Sequence, residues 1–424
     1  MMRYIALALT LAFAVSAQAQ QQPPPAGKQE PPDINFAFKV DKAIDKGVAF
    51  LRGKRTGSYH MDIPNGNELI LLTLIHSGVP ERYPDMQGDF DALLKEMLDA
   101  KLERTYKVAL QAMCLEEIDR VKYQPRIHAC AQFLIDNISP AGTSRYGAPS
   151  IFVEEVPTAS PGRAAVKSSG GRPETAKKAN EQFDPAKKMK PVVTNIIQVK
   201  QKRAGPGDFD HSNMQYHALG LRACHDAGIR FEESFLKSVE AHWRTTQIPD
   251  AGGKKEPLAL DMQLEKKGDP KKGAPGATSV MPLDASASPD GWGYSGNEKS
   301  WGSMTVGAVG GLCILDYMMG KDWRKDEDVL QGLQWMNKHF TVTENPFLEK
   351  KWHYYYLYGI ERVGMLFGTE RIGDHKWYRT GAEYLLANQG AGGQWNDTVD
   401  TCFAILFLRR ATRRLDVATG GSKR

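Results

Sequence analysis

Hydrophobic and polar positions divide the chain into two alternating kinds of segment. The first kind carries apolar residues on one side at helical spacing and charged residues on the other, as in residues 39–54, where Val40, Ile44, Val48 and Leu51 share a side. This spacing is typical of an amphipathic helix that covers a core. Comparable segments begin near Phe90, Gln124, Phe231, Arg324 and Asp374. The pattern therefore predicts six amphipathic helices.

The second kind of segment is apolar or small on most sides and opens with polar residues. The segments of this kind are 67–77, 104–118, 213–227, 303–319, 353–367 and 398–411. Several are followed by glycine, which ends helices in a left-handed conformation. A helix that is apolar all round is buried, and one helix pair cannot bury its apolar face alone. The alternation predicts an all-α fold, a single (α/α)6 toroid with apolar inner and amphipathic outer helices.

The alternation of these two kinds of segment is interrupted at two places. Residues 155–207 and 251–289 are rich in Pro, Gly, Ser and Lys and show no helical period, so we expect two disordered, flexible insertions. The toroid is then expected to span 39–411, with a tail at 412–424.

The N-terminal residues predict export. Arg3 precedes an apolar run at 4–15, and Ala17-Gln18-Ala19 provides a small-x-small cleavage site, so residues 1–19 are predicted to be a signal peptide. Residues 20–38 are predicted to be an extended, proline-rich leader. No later stretch is apolar for long enough to span a bilayer as a helix. We expect a soluble, secreted or periplasmic protein that is not transmembrane.

A recurring motif joins the helix pairs. Near the C-terminus it reads Tyr384-Leu385-x-x-x-Gln389-x-x-x-Gly393-x-Trp395. A related string runs from Trp243 to Gln247 and resumes at Gly291-Trp292, and a weaker copy has Ile138 and Tyr146 in place of Gln and Trp. A glutamine amide can satisfy backbone groups left unpaired at a helix end, and an indole can pack over the turn.

These motifs resemble the QW-type repeats of the squalene cyclase and protein prenyltransferase superfamily. The resemblance covers residues 39–411 without the two insertions, and it implies an α/α toroid. The strings DGWGY at 290–294, SMTVGA at 303–308 and QWNDTVDT at 394–401 also resemble exported bacterial proteins with a single toroid of prenyltransferase and squalene-oxidase repeats. The resemblance implies a fold more than an activity.

In such a toroid the inner helices run parallel, so their N-terminal ends meet at one mouth. Positive helix ends, aromatic rings and carboxylates at this mouth would form a pocket for a small apolar or glycan ligand, or for a protein partner. The ligand-binding residues expected there are Tyr106, Asn213, Trp301, Tyr354, Asp397 and Asp400.

One candidate acid lies within Asp208-Phe209-Asp210-His211, which resembles the Asp-x-Asp-Asp motif of class II terpenoid cyclases. The resemblance implies that Asp210 donates a proton to an alkene, with His211 in place of the last aspartate. Such an acid must stay protonated until it reacts. The alternative, which we favour, is that Asp210 or Ser212 caps the following helix.

A candidate metal site lies at Asp400-Thr401-Cys402. It resembles the Asp-x-Cys pair that holds zinc in prenyltransferase β subunits, and His353 could supply a third ligand. We favour a capping aspartate and a buried cysteine, and thus no cofactor. The five cysteines are an odd number at wide spacing; a Cys114–Cys130 bridge is conceivable, but buried free thiols are favoured.

Composition and charge limit the classes of partner that we expect the protein to bind. The chain of 424 residues is 25% charged and 41% apolar, with a formal net charge of +5. Residues 160–204 hold eleven basic and three acidic residues, so the rest of the chain is mildly acidic. We therefore expect no nucleic-acid partner, and we expect the 160–204 loop to contact anionic glycan or membrane surfaces.

Three functions follow from these patterns. We favour a ligand-binding or protein-interaction scaffold, because neither the acid motif nor the metal motif is complete. The first alternative is an isoprenoid cyclase or mutase with Asp210 as general acid. The second is a carbohydrate-active α/α-barrel enzyme, which would need two carboxylates beside one cleft.

Overall fold

The computed structural model describes residues 33–55, 66–149, 190–265, 278–296 and 299–415. Within these residues the fold is mostly α-helical, with twelve α-helices and a few short strands. The predicted signal peptide and most of the basic 160–204 loop lie outside the described residues. None of the described helices combines the length and the apolar character needed to cross a bilayer.

The helices alternate between two burial patterns, as the sequence predicts. Five of the six flanking helices bury mainly one face, which in the first of them consists of residues such as Val40, Ile44 and Val48. The third flanking helix, Gln124–Asp136, is the exception and is buried on nearly all sides. The flanking helices are α1 (Ile34–Leu51), α3 (Gln87–Asp99), α5 (Gln124–Asp136), α7 (Glu233–Thr245), α9 (Glu327–Lys338) and α11 (Trp377–Ala387). The core helices, buried on nearly all sides, are α2 (Asn67–Ser77), α4 (Thr105–Asp119), α6 (His211–Asp226), α8 (Gly302–Met318), α10 (His353–Phe367) and α12 (Thr398–Arg409).

The core helices contact one another in a closed cycle. Each packs against the next core helix along the chain, from α2 to α4 and so on to α12, and α12 packs against α2. Three flanking helices lie over joints of this cycle: α1 contacts both α12 and α2, α5 contacts both α4 and α6, and α11 contacts both α10 and α12. Every core helix therefore has helical neighbours on several sides, which explains why apolar side chains occupy most of its positions.

The glutamine motif ties neighbouring flanking helices together. Gln389, just after α11, donates from Nε2 to the Ala43 carbonyl in α1 at 2.8 Å and to the Gly393 carbonyl at 2.9 Å. The Trp395 indole donates to the Leu385 carbonyl at 2.9 Å and closes the turn. Gly393 has a φ of 92°, and a Cβ there would lie 2.4 Å from the carbonyl oxygen of Lys46 in α1. Glycine is thus required where the motif meets the next helix.

The second copy of the motif repeats this arrangement. Gln247, after α7, donates to the Asp328 carbonyl in α9 at 3.0 Å, and the Trp292 indole donates to the Trp243 carbonyl at 2.8 Å. The weak copy lacks the glutamine of the motif. Gln201, which lies outside the motif, donates instead to the carbonyls of Ile135 and Ile138 at the end of α5, at 2.7 and 2.6 Å. A carbonyl near the end of the preceding flanking helix has a side-chain donor at all three places: the Trp395 indole, the Trp292 indole and the Gln201 amide.

The two predicted insertions are partly ordered, so the prediction of disorder is wrong for these residues. In the first, residues 190–207 cover the outer side of α5, and Lys202 N–H donates to Asp136 at 2.7 Å. Residues 197–198 form strand β1 (Ile197–Gln198), which pairs in parallel with β2 (Ile229–Arg230). Residues 150–189 lie outside the described part. The sequence misleads here because the ordered part uses backbone and side-chain hydrogen bonds rather than an apolar period.

In the second insertion, β4 (Glu256–Glu265) pairs antiparallel with β5 (Thr278–Ala287), and β7 (Thr369–Ile372) joins the other side of β4. Leu258, Leu260 and Met262 alternate along β4 and are buried. This period of two is short and is followed by a run rich in Lys, Gly and Pro, which hides it. Two short strands flank the hairpin in the sequence: β3 (Ile248–Pro249) precedes it, β6 (Asp290–Gly291) follows it, and the two pair antiparallel.

Two predicted boundaries are also wrong. The leader was expected to extend through residue 38, but α1 begins at Ile34, where the Asp33 side chain accepts a hydrogen bond from Phe36 N–H at 3.0 Å. The tail was expected to begin at residue 412, but Thr412 is buried and donates from N–H and Oγ1 to Glu361 at 2.9 and 2.7 Å. Single side-chain caps and single buried contacts set both boundaries, and neither produces a periodic signal.

All five cysteines are free and buried, as favoured, and no bridge joins Cys114 to Cys130. Burial raises the pKa of each thiol, that of Cys130 to about 12. These thiols therefore act as small apolar side chains.

Replacing Gln389 with alanine should lower the free energy of unfolding by about 1–3 kcal/mol, because the Ala43 and Gly393 carbonyls lose their side-chain donor. Urea unfolding followed by circular dichroism measures this change. Gln87→Ala is the matched control, because Gln87 is exposed and, among the described residues, its side chain bonds only to Asp91 in the same helix. Equal stability of the two variants would contradict a tying role for Gln389.

Candidate functional site

A cavity of about 290 Å³ opens at the N-terminal ends of five core helices. Its wall contains residues from the first turns of α4, α6, α8, α10 and α12, together with residues from three connecting loops. The lining residues are Tyr106, Tyr146, Ser212, Tyr294, Trp301, Ser303, Met304, Leu348, Lys351, Trp352, Tyr355, Asp400 and Phe403. The prediction that the beginnings of the apolar helices meet at one pocket agrees with this geometry.

Aromatic rings form most of the wall. Seven of the lining residues are Tyr, Trp or Phe. The rings support one another: Tyr294 and Trp301 have centroids 6.2 Å apart, and Tyr355 and Phe403 have centroids 5.7 Å apart. Tyr106 packs against Tyr216 with centroids 4.1 Å apart, and Tyr216 lies behind the wall. Rings held in this way offer flat apolar faces without losing much side-chain entropy on binding.

The helix ends around the cavity differ in how they are capped. Asp210 caps α6 and Asp397 caps α12, each accepting from the backbone N–H three residues later. The first turn of α8 donates from Ser303 N–H to Asn345 Oδ1 at 2.9 Å, whereas α4 and α10 begin without a side-chain cap among the described residues. Uncapped helix N-termini carry partial positive charge, so this part of the wall favours electron-rich ligand groups.

A strained loop forms one rim of the cavity. Between α9 and α10, Phe347, Glu349 and Trp352 all have positive φ, at 67°, 53° and 57°, although none is glycine. Asn345 holds the loop, since its Nδ2 donates to Ser303 Oγ and to the Lys351 carbonyl, both at 3.0 Å. The loop places Leu348, Lys351 and Trp352 on the cavity wall. Such strain often accompanies function, and no feature of the sequence indicated it.

Asp400 is the one acidic side chain among the lining residues that the structure describes. Burial and the nearby Asp397 carboxylate raise the pKa of its carboxyl, a hydrogen bond from Asn396 Nδ2 at 2.9 Å lowers it, and together they bring this pKa to about 6. Asp400 is therefore part protonated near neutral pH and can donate or accept a hydrogen bond toward the cavity.

The predicted catalytic pair lies behind the wall. Asp210 is buried and accepts hydrogen bonds from Ser212 Oγ at 2.5 Å, Asn213 N at 2.8 Å and Asn213 Nδ2 at 2.8 Å. His211 stacks on Trp243 with centroids 4.6 Å apart and bonds through its two ring nitrogens to the Gly293 carbonyl and Thr246. Burial lowers the pKa of His211 to about 4. Asp210 serves as the cap that we favoured, and His211 joins α6 to α7.

Of the six predicted ligand-binding residues, the structure brings three to the cavity: Tyr106, Trp301 and Asp400. The other three residues form contacts outside the cavity wall. Asn213 bonds to Asp210, Asp397 caps α12, and the Tyr354 ring lies beside His353. The sequence identifies helix starts but not which side of each helix faces the cavity.

The predicted metal ligands do not come together. The His353 Nε2 atom bonds to the Val342 carbonyl at 2.9 Å, and burial raises the pKa of the Cys402 thiol to about 12. With Asp400, these residues do not form a close group of ligand atoms within the described part of the chain.

One group of three carboxylates does lie close together elsewhere in the described residues: Glu240, Asp316 and Asp326. Arg244 bonds to Glu240 and Asp326, and Lys321 Nζ lies 2.6 Å from Glu240. Two cations already occupy this group, so it acts as an ion-pair network that joins α7, α8 and α9.

A comparison with protein-family models gave no match for this chain, and a search of curated proteins gave none either. The chemistry of the site therefore has to be argued from its own geometry.

Asp400→Asn should stabilise the protein more at pH 7 than at pH 4. In the folded protein the pKa of Asp400 is raised from 3.8 to about 6, so folding favours the protonated carboxyl. This preference stabilises the folded wild type fully below pH 4, and the stabilisation is lost as the pH rises through 6. Asparagine cannot ionise. The difference in unfolding free energy, variant minus wild type, should rise by about 1–2 kcal/mol between these pH values.

Urea unfolding at pH 4, 5, 6 and 7 measures this rise. Asp374→Asn, on the exposed turn before α11, is the control for a general effect of removing one carboxylate. A difference that stays flat with pH for Asp400→Asn would show that Asp400 is not held in a desolvated site.

Proposed function

We propose that the twelve helices form an (α/α)6 toroid, with the core helices inside and the flanking helices outside. The closed cycle of contacts from α2 to α12 and back to α2 supports this arrangement. The position of three flanking helices over joints of the cycle supports it as well. The resemblance of the glutamine and tryptophan motif to QW-type repeats gives the same architecture.

We propose that the chain is an exported protein that binds a small ligand in the cavity at the N-terminal mouth of this toroid. Export is supported by the signal-peptide pattern in residues 1–19. Binding is supported by one observation above all: a single cavity of about 290 Å³ carries seven aromatic rings that come from helices and loops far apart in the sequence. Apolar cavities with a few polar groups are typical binding sites.

The wall defines the chemistry of the ligand. Broad aromatic faces suit an isoprenoid chain or the apolar face of a sugar ring. Lys351 and the uncapped starts of α4 and α10 suit an oxygen-rich or anionic end. Asp400, part protonated near neutral pH, suits a hydroxyl group that both donates and accepts. The ligand is therefore an amphipathic molecule with a flat or extended apolar part and an oxygen-bearing end.

Intrinsic fluorescence can test this binding directly. Of the eight tryptophans, Trp301 and Trp352 line the cavity, and the other six are buried. Farnesol and cellotriose serve as the isoprenoid and sugar probes, and the probe of the correct class should change the emission with saturation. Leu348→Ala should weaken its binding roughly three- to tenfold by calorimetry, because apolar contact is lost at the rim.

Leu386→Ala is the matched control, since it makes the same change on a half-buried leucine of α11 that does not line the cavity. Native mass spectrometry of protein from its own host then looks for a retained molecule. If neither probe binds and no small molecule is retained, the cavity is not a ligand site.

A second candidate function is an isoprenoid cyclase or mutase with Asp400, rather than Asp210, as the acid. The observation that favours it is the position of Asp400 on the wall with its pKa raised to about 6, whereas the carboxylate of Asp210 is taken up by the α6 cap. A glycan hydrolase needs a second carboxylate at the cleft, and the described lining residues include none besides Asp400.

One variant, Asp400→Asn, distinguishes the two candidate functions. If the protein is an enzyme, wild type should convert a bound isoprenoid epoxide or alkene, as seen by gas chromatography, and Asp400→Asn should bind it without conversion. Asp397→Asn is the control, because Asp397 neighbours Asp400 on α12 and does not line the cavity. Binding without any conversion by wild type leaves the ligand-binding function as the answer.

A further inference from the structure

A buried arginine lies behind the aromatic wall of the cavity. Arg362 is on α10, about two helical turns after Tyr355, and is 2% exposed. Its Nε donates to the Tyr358 carbonyl at 3.5 Å. Apart from the neighbouring Tyr216 hydroxyl, no described group accepts a hydrogen bond from Nη1 or Nη2. A fully buried guanidinium whose terminal nitrogens have one hydroxyl as their only described acceptor is costly, because desolvated donors need acceptors.

Three tyrosine rings surround this guanidinium. The Arg362 Cζ atom lies 4.2 Å from the centroid of Tyr358, 5.6 Å from that of Tyr216 and 5.8 Å from that of Tyr355. Burial raises the pKa of all three phenols, so each is neutral at physiological pH. The rings attract the cation through their faces, but they do not carry a compensating charge.

The neighbouring carboxylate compensates this charge only in part, because it attracts the Arg362 guanidinium while burial raises its own pKa to about 7. Glu361, next to Arg362 along α10, uses one oxygen on Thr412 N–H and the other on Thr412 Oγ1. Among the described residues, no acidic side chain forms an ion pair with Arg362. Buried charges in proteins are nearly always paired, because the cost of removing a lone charge from water is several kcal/mol.

The Tyr216 hydroxyl adds a donor at the same place. It lies next to the guanidinium and makes no hydrogen bond to any other described side chain or backbone group. The Tyr355 hydroxyl differs, because it donates to Gln215 Oε1. The remaining guanidinium N–H groups and the Tyr216 O–H thus form a set of unused donors with a net positive charge inside a cage of three tyrosine rings.

We propose that a small monovalent anion of the size of chloride binds in this cage, between the Arg362 guanidinium and the Tyr216 hydroxyl. A water molecule could accept hydrogen bonds there, but it would leave the positive charge uncompensated. An anion satisfies the donors and neutralises the charge in one step. Because the Tyr355 ring belongs both to the cage and to the cavity wall, a bound anion fixes one wall of the cavity.

Thermal unfolding at constant ionic strength tests the proposal. Sodium chloride is exchanged for sodium gluconate, whose anion is too large for this cage. Wild type should gain roughly 3 °C in Tm between 1 and 100 mM chloride, as expected for a ligand that binds only the folded state. Bromide should act in the same way and should give an anomalous scattering peak beside Arg362 in a crystal.

Three variants distinguish chloride binding at this site from a general effect of salt on stability. Arg362→Met should remove the chloride dependence, and Tyr216→Phe should reduce it. Arg379→Met, which removes an exposed arginine paired with Asp33 and Glu383, should leave it unchanged. Equal Tm values for wild type in chloride and gluconate, together with no bromide peak, overturn the proposal even if the Arg362 variant fails to fold.

Discussion

The structure depends on the burial of six helices on nearly all of their sides. A helix that shows no polar face to water needs helical neighbours around it, and each core helix obtains them from the core helices before and after it and from flanking helices. The contact between α12 and α2 matters most, because it gives the first and the last core helix the neighbour that each would otherwise lack. The hydrogen bond from Gln389 to the backbone of α1 lies at this same closure.

The cavity follows from the same constraint. A helix N-terminus has backbone donors without intrahelical partners, so apolar packing cannot continue through it. Where several such ends meet, the protein uses aromatic and small polar side chains in place of aliphatic ones. Asp210 and Asp397 supply acceptors to two of these ends, and the rings of Tyr106, Trp301 and Tyr355 cover the space between the ends.

The helices could be predicted from the sequence because their signal is periodic. The apolar period predicts all twelve helices, and α2 and α10 have the predicted bounds. The cap Asp210 was recognisable because a cap depends on residues three apart. The cap of α12 was placed wrongly, because the sequence favoured Asp400, whereas Asp397 caps this helix and Asp400 lies in its first turn. The strained loop at Phe347 and Trp352 was not recognisable, because a positive φ in these residues is imposed by distant contacts such as Asn345 with Ser303.

The candidate site was predicted only in part for a related reason. Tyr106, Trp301 and Asp400 were found because they lie at helix starts. Tyr146 and Tyr294 lie in loops, and only the closed fold brings them to the same wall. Arg362 gave no signal, since an arginine in an apolar helix pattern is normally expected at the surface, and its burial depends on three tyrosines from two helices.

The packing of α12 against α1 and α2 also determines when the chain can fold. During synthesis α2 emerges long before α12, and until α12 follows, the face of α2 that α12 will cover stays exposed. The contacts that complete the structure are therefore among the most distant in sequence, which makes folding slow and late. A nascent chain with this architecture therefore exposes an apolar helix until its last core helix has been synthesised.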